Sequence, residues 1–367
     1  MSGRDITATW ETLRQRGLVA DTPPPRSETI RVPWYVRVIS GISGWIAALF
    51  LLAVIPIGFG QSFDDGWPWL VVGGLSCLLA WFLDFRGRSG DFAAQFAFAL
   101  SVAGQIQLLL GLHQLTGWDL RALGWVVVGL ELLLFFAITG PVHRVWTVVA
   151  GGLALLYLIG GLEQGNLLLA LGLGAFALVW LNEFNMAGQA RYLHPLGYGL
   201  LLLILILVVT GAVDMGGLRS DFVSEQGLAG ELLARPLLGA MAVGAVVVVA
   251  TAVILGQQAI ARHQGVGLAL LCLGLLVATT ALFAPGIGAA YLVILVGRAH
   301  DNRLLLGIGV FGLLGYLGHY YYALELALLY KSAVLVASGV VLLLARLLFR
   351  GLGLTAGGQA ADVAGDA

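Results

Sequence analysis

The stretch "LRALGWVVVGLELLLFFAITG", Leu120 to Gly140, decides the fold. After Arg121 its only ionisable residue is Glu131, and nearly all its other side chains are apolar. A helix needs about 20 mostly apolar residues to cross the hydrocarbon core of a bilayer. This stretch has that length and composition, so it predicts a transmembrane helix.

The whole chain is as apolar as this stretch suggests. Hydrophobic residues make up 59% of it and charged residues 11%, with a mean hydropathy of +0.95. Soluble domains average roughly 45–50% apolar and about 25% charged residues. The lipid bilayer is therefore the predicted surrounding of most of the chain. The net charge of −1 offers no basic surface to nucleic acid, and this excludes a nucleic-acid partner.

Similar apolar stretches recur along the sequence and predict an all-α, polytopic transmembrane helix bundle of about twelve spans. Only Pro285 and Gly286 separate the ninth and tenth stretches, so these two could instead form one broken span. The predicted spans are 37–59, 67–84, 92–112, 120–140, 143–160, 166–182, 195–213, 236–256, 266–284, 286–299, 303–323 and 327–349.

The basic residues predict that both termini are cytoplasmic. With that orientation, 15 of the 19 Lys and Arg residues fall in cytoplasmic segments, as the positive-inside rule requires. The four outer ones are Arg121, Arg219, Arg235 and Lys331.

The predicted bundle, 37–350, lies between two cytoplasmic segments. Residues 1–36 combine a short amphipathic helix, Asp5 to Val19, with the proline-rich spacer "TPPPRS"; a frayed tail is the alternative to the helix. Residues 351–367 are rich in Gly and Ala and predict a disordered tail.

Motifs for catalysis are missing from the sequence. It has no HExxH, Walker loop, CxxC or GxSxG, and its six histidines show no metal-ligand spacing. Cys77 and Cys272 both lie in apolar runs and predict buried thiols. We therefore predict no catalytic residue, metal or cofactor, and the pattern favours a function other than catalysis.

Glu131 is the strongest polar anomaly. At 1.5 Å per residue it lies about 16 Å into its helix, near the bilayer midplane. An unpaired carboxylate there costs roughly 3 kcal/mol or more, which makes it a candidate for proton or cation coupling. The alternative is a protonated side chain bonded to a neighbouring helix. Gln105 and Gln107 form a second deep polar pair, for which helix–helix hydrogen bonding is the favoured interpretation.

Lys331, the only lysine, lies in "HYYYALELALLYKS" at a predicted outer boundary, against the positive-inside trend. It either extends to the lipid headgroups or pairs with a lipid phosphate, another helix or a partner protein. Candidates for partner or lipid docking are Lys331, Glu325, Tyr321, Tyr322 and His319.

Glycine recurs every third residue in the eleventh span, at Gly309, Gly312, Gly315 and Gly318. The spacing predicts a smooth ridge along which a neighbouring helix packs closely.

The sequence also resembles a family of uncharacterised polytopic bacterial inner-membrane proteins, catalogued as a domain of unknown function. The resemblance covers most of the chain. Glu131 lies outside the matching stretches, so the resemblance does not support a coupling role for it. The stretches are "PWYVRVISGISGWIAALFLL" from Pro33, "FALSVAGQIQLLLGL" from Phe98, "VHRVWTVVAGG" from Val142, "NEFNMAGQARYLHPLGYGL" from Asn182 and "YYYALELALLYKSAVLVASGVVLL" from Tyr320.

The resemblance implies a multi-pass protein of the bacterial inner membrane that acts with a small membrane-anchored protein carrying a GDYXXLXY motif. Three functions follow as hypotheses: a component of such a membrane complex, a secondary transporter or channel that uses Glu131, and an integral enzyme acting on a lipid-linked substrate. The enzyme needs polar residues grouped at the outer face, where the sequence offers Arg219, Arg235, His319 and tyrosines.

Overall fold

The computed structural model describes residues 10, 12–17, 34–59, 66–85, 91–159, 165–183, 185–210, 235–257, 265–282 and 284–323. In these ranges the protein is all-α, and they contain no strand. Eleven α-helices follow one another: α1 Trp34–Phe59, α2 Trp67–Phe85, α3 Asp91–Thr116, α4 Leu120–Ala137, α5 Pro141–Ile159, α6 Gly165–Leu181, α7 Ala190–Val209, α8 Arg235–Gln257, α9 Gly265–Ala281, α10 Pro285–Ala299 and α11 Arg303–Ala323.

Six of these helices are long and apolar enough to cross a bilayer: α2, α3, α4, α5, α7 and α8. The others contain shorter apolar segments. These helices also expose large apolar side chains, such as Phe50, Phe311 and Leu178, as expected for a surface in contact with lipid. The chain is therefore a membrane-embedded protein.

Each predicted span from the first to the eleventh coincides with one helix, and the twelfth, 327–349, lies outside the described residues. Of the predicted amphipathic helix, the structure describes residue 10 and residues 12–17. The latter form a helical turn that ends at Gly17, where φ is 68°.

The uncertain region around Pro285 contains two separate helices, α9 and α10. A Cβ built on Gly288 would lie 3.1 Å from Cβ of Ala281, whereas residues seven apart in one continuous helix are separated by about 10 Å. The chain therefore turns back at Pro285. In agreement, α9 runs antiparallel to α8, since a Cβ on Gly244 would lie 3.0 Å from the carbonyl oxygen of Ala278 and one on Gly274 would lie 3.1 Å from the hydroxyl of Thr251.

The tightest helix pair is α2 with α3, where glycine lets two backbones touch. A Cβ on Gly73 would lie 2.7 Å from the carbonyl oxygen of Gly104, and one on Gly111 would lie 2.8 Å from that of Gly66. The two glycines of each helix are seven residues apart, so they repeat on one face. Small residues of this kind allow close approach in a membrane, where packing and not hydrophobicity drives association.

Of the four glycines in the predicted ridge on α11, two pack closely against other described helices and two do not. Gly309 packs against Ile294 of α10, and a Cβ on Gly312 would lie 3.4 Å from Leu205 of α7. No described atom lies within 4 Å of a Cβ built on Gly315 or Gly318. Helical rotation explains this, because positions three apart drift around the helix by about 60° per step.

The helices form two groups. In the first, α3 packs against both α1 and α2. In the second, α4 packs on α5, α5 on α7, and α7 on α6, while α6 is further surrounded by α8 and α10. The main core lies in this second group around Phe176, Leu173 and Leu169 of α6, each 0% exposed.

Replacing Gly73 by Ala should destabilise the protein, and replacing its neighbour Gly74 should not. The new methyl group at Gly73 meets backbone of α3, and such overpacking costs about 1–3 kcal/mol. A Cβ on Gly74 meets nothing within 4 Å, so Gly74→Ala isolates the effect of helix propensity. Unfolding free energies in mixed micelles compare the two; equal values would contradict the tight contact.

Candidate functional site

Glu131 lies on α4 and is buried, with 3% of its surface exposed. Antiparallel α5 covers it, since a Cβ on Gly151 would lie 3.6 Å from Cβ of Glu131. The absence of a side chain at Gly151 thus leaves space beside the carboxyl group. That space belongs to a cavity of about 480 Å³, which we call the lateral groove.

The lateral groove results from the packing order of the second helix group. Its floor is formed by α5 and α7, including Gly152 and Leu200. Its two edges are α4 and α6, which share no extended contact with each other. Leu132 and Phe136 on α4 and Leu171 on α6 line the groove and are also exposed, so the groove opens sideways to lipid.

The carboxyl group of Glu131 has a free oxygen. Within the described residues, Oε2 is buried and has no hydrogen-bond partner. Buried polar groups are normally bonded, and an exception is a candidate for a functional group. The one other polar side chain in the groove wall, Thr147, uses its hydroxyl to donate a 2.8 Å bond to the carbonyl of Arg144. Glu131 is therefore the group in the groove that is available to a ligand or a proton.

A series of polar groups joins α2, α3 and α5. Ser101 Oγ on α3 is 2.8 Å from Nε2 of His143 on α5, and Gln105 Nε2 donates to Ser101 Oγ at 3.4 Å. The thiol of Cys77 on α2 donates to the backbone carbonyl of Ser101 at 3.8 Å. These groups connect α2 and α3 with the start of α5.

Asp84 continues this series at the end of α2. Its Oδ2 accepts bonds from the amide and the hydroxyl of Thr139, at 2.6 and 2.8 Å, in the turn between α4 and α5. Asp84 and His143 line the same cavity of about 80 Å³, and the Asp84 carboxylate acts electrostatically on His143. Since a water molecule takes about 30 Å³ of liquid volume, this cavity has room for one or two.

Arg144 ties the end of α4 to α5 and α7. It is 3% exposed, yet in the described ranges it meets backbone oxygens and rings, not a carboxylate. Its Nε donates to the carbonyls of Phe135 and Ile138, and a terminal nitrogen donates to the carbonyl of Arg191 at 2.8 Å. A cation is favourable at a helix C-terminus, where carbonyls lack intrahelical partners. Arg144 therefore fixes the helix turn beside the site.

The predicted deep pair does not act as one unit. Gln105 belongs to the network at Ser101, and its bond to Ser101 lies within its own helix instead of crossing to another. Gln107 is buried elsewhere, in a groove of about 250 Å³ with Trp45 and Trp69, and its Oε1 has no described partner.

The docking candidates fall at or beyond the end of the described chain. His319 is exposed on α11. Tyr321 and Tyr322 belong to the last helical turn of α11, while Lys331 and Glu325 lie outside the described residues. Three of the five candidates thus lie at the C-terminal end of α11.

Sequence reasoning missed Ser101, His143 and Asp84. His143 does lie at the start of its helix, as the predicted span 143–160 has it, but its side chain is buried, with 4% of its surface exposed. The usable signal was a small hydroxyl residue inside a span, four positions before Gln105, which places both on one face of α3. Among the described residues, no group of three His, Cys, Asp or Glu side chains could hold a metal ion.

The comparisons with known proteins agree with this picture. A family model described as "Domain of unknown function (DUF4401)" matches residues 33–351. The chain belongs to this family. Its match spans every helix from α1 to α11, including the site around Glu131. No curated protein and no solved structure matches the chain.

Ser101→Ala should destabilise the protein more than Ser43→Ala. The first change leaves a buried imidazole nitrogen without its partner, which costs about 1–3 kcal/mol. Ser43 is an exposed serine whose hydroxyl bonds only to Ile39 of its own helix, so it serves as the matched control. Unfolding in mixed micelles measures both; equal losses would show that the Ser101–His143 bond does not hold the two helix groups together.

Proposed function

We propose that this chain is a secondary transporter of the bacterial inner membrane in which Glu131 takes up and releases a proton. The observation that carries the proposal is the buried carboxyl oxygen of Glu131, which has no described partner and adjoins the lateral groove. Ionisable residues inside membrane spans commonly serve ion pathways and proton relays.

The polar groups on the cytoplasmic side of the predicted bundle suggest a route for the proton. We propose that it passes between Glu131 and the hydrogen-bonded pair Ser101–His143, and through the small cavity to Asp84. Glu131 is six residues before the end of α4, so this face of the membrane is about 9 Å away. In the predicted topology with cytoplasmic termini, this face is the cytoplasmic one.

The groove supplies the second element that a transporter needs. A proton site alone would bind and release protons without moving a substrate. A carboxyl group that borders both a proton route and an open groove can couple proton binding to the binding of a substrate. In its protonated form Glu131 is neutral and tolerable in lipid, and in its ionised form it requires a counter-charge. This alternation is the basis of coupling.

Glu131→Gln should remove one titrating carboxyl group and leave the fold intact. Glutamine keeps the size of the side chain but cannot bind and release the proton. Infrared difference spectra between neutral and alkaline pH should show the band of a protonated carboxyl group in wild type, and this band should be missing in Glu131→Gln. Glu183→Gln is the control, because Glu183 lies at the end of α6, bonded to His194 at 2.7 Å. If the spectra of Glu131→Gln and wild type coincide, Glu131 carries no exchangeable proton and the proposal fails.

Transport itself is measured with membrane vesicles that hold an imposed pH gradient. Solutes of different charge and polarity are added in turn, and a transported solute should dissipate the gradient. The dissipation should occur with wild type and Glu183→Gln and be lost with Glu131→Gln. A solute that collapses the gradient equally in all three would show that Glu131 is not involved.

A complex with a small membrane-anchored protein is our second proposal. The family resemblance described in the sequence analysis implies such a partner. We propose Lys331 as the docking charge, together with Glu325, Tyr321, Tyr322 and His319. The enzyme hypothesis gains no support, since of its outer polar residues His319 alone has both a described side chain and a described position.

Lys331→Met should abolish recovery of a small membrane protein with the tagged chain from mild detergent. The change removes the charge and keeps an unbranched apolar side chain. Arg303→Met, at the first residue of α11, is the matched control for loss of one positive charge. If wild type and both variants recover the same proteins in equal amounts, Lys331 does not dock a partner.

A further inference from the structure

We infer that the lateral groove binds an organic cation with a compact apolar body, whose ammonium group pairs with Glu131. This inference deepens the proposed transport function, on which it rests, by naming the class of substrate. It follows from the single carboxyl group and apolar wall of the groove, and from the lack of further oxygen ligands there.

The groove lacks the ligands that a metal ion needs. Hard cations such as Ca²⁺ take about six to eight oxygen ligands. Glu131 and Thr147 are the polar side chains in the groove wall, and the Thr147 hydroxyl already donates to a backbone carbonyl. An inorganic cation would therefore lose its water shell without adequate replacement.

The groove also does not suit a purely apolar ligand. An acyl chain would fill the space between Leu132 and Leu171 but would leave Glu131 Oε2 without a partner. An organic cation satisfies both conditions, because its body contacts the apolar wall and its N–H groups reach the carboxylate. Its charge also matches the single acidic group.

The dimensions favour a compact molecule over a partner helix. The lining residues span eight positions of α4 and of α5, which corresponds to about 12 Å. A transmembrane helix crosses about 30 Å and is about 10 Å wide. The cavity of about 480 Å³ lies within the range of small-molecule sites.

Binding then exchanges the proton on Glu131 for the organic cation. Glu131 in its neutral, protonated form loses its proton when the ammonium group arrives, and the resulting ion pair is again neutral. The proton leaves through the pair Ser101–His143 and the small cavity that Asp84 lines. The site therefore holds either a proton or the cation, and this is the exchange that an antiporter requires.

The test uses 1-adamantylamine and 1-adamantanol, which share one apolar cage and differ in their polar group. Calorimetry of the full-length protein in lipid nanodiscs, in two buffers of different ionisation enthalpy, gives affinity and proton release together. Wild type should bind the amine at least tenfold more tightly than the alcohol and release about one proton per amine bound. Empty nanodiscs give the partitioning background.

Three variants locate the site. Glu131→Gln should lose the proton release and the preference for the amine. Gly172→Leu places a side chain in the groove, where a Cβ makes only ordinary contact, 3.7 Å from Ile204, and should lose binding of both compounds. Gly129→Leu is the control on the exposed side of α4, where a Cβ meets nothing within 4 Å, and should behave as wild type.

Equal binding of amine and alcohol without proton release would overturn the inference and identify the groove as a site for lipid tails. Absence of binding above background would overturn it as well, as would equal binding by wild type and Gly172→Leu. The infrared titration of Glu131 is independent of these results. If Glu131 titrates but the amine releases no proton, the proposed substrate class is wrong and the proton site stands.

Discussion

Lipid offers no hydrogen-bond partner, so every polar group of this chain within the membrane has to be satisfied by the chain itself. The backbone meets the constraint by forming helices throughout the described ranges. Side chains meet it locally: Asp84 bonds the turn at Thr139, and Arg144 bonds the last carbonyls of α4. Among the buried side-chain atoms for which the described residues provide no partner, Glu131 Oε2 belongs to a carboxyl group, whereas the others, such as Gln107 Oε1, belong to amide, aromatic-ring or phenol groups.

The polar groups also explain how the two helix groups are joined. Within each group, glycines and apolar side chains make the contacts, as in the α2–α3 pair. Between the groups, α3 shares little surface with α4, and the specific contacts are Ser101 with His143, Asp84 with Thr139, and Phe98 with His143 and Trp146. The proposed proton route therefore coincides with these contacts, so a change of protonation along it would act on the packing of the two helix groups against each other.

Much of this fold could be predicted from hydropathy, and most of the site could not. Span length and composition locate eleven helices, and the single carboxylate in Leu120–Gly140 marks Glu131. Pairing is different, because Ser101 and His143 are 42 residues apart and neither has a spacing pattern that identifies the other. Which helices pack against each other also cannot be predicted from hydropathy. A helix such as α6 is apolar on every side, so its sequence does not indicate which face contacts which neighbour.

That central position of α6 has a consequence for biosynthesis. Its packing partners are α7, α8 and α10, all of which follow it in the chain. When α6 leaves the ribosome, the residues that will surround Asn166 and Phe176 have not yet been made. The core of this protein therefore cannot close as each helical hairpin inserts. It forms only after α10 has entered the membrane, and until then the most buried helix of the finished protein is in contact with lipid or with the insertion machinery.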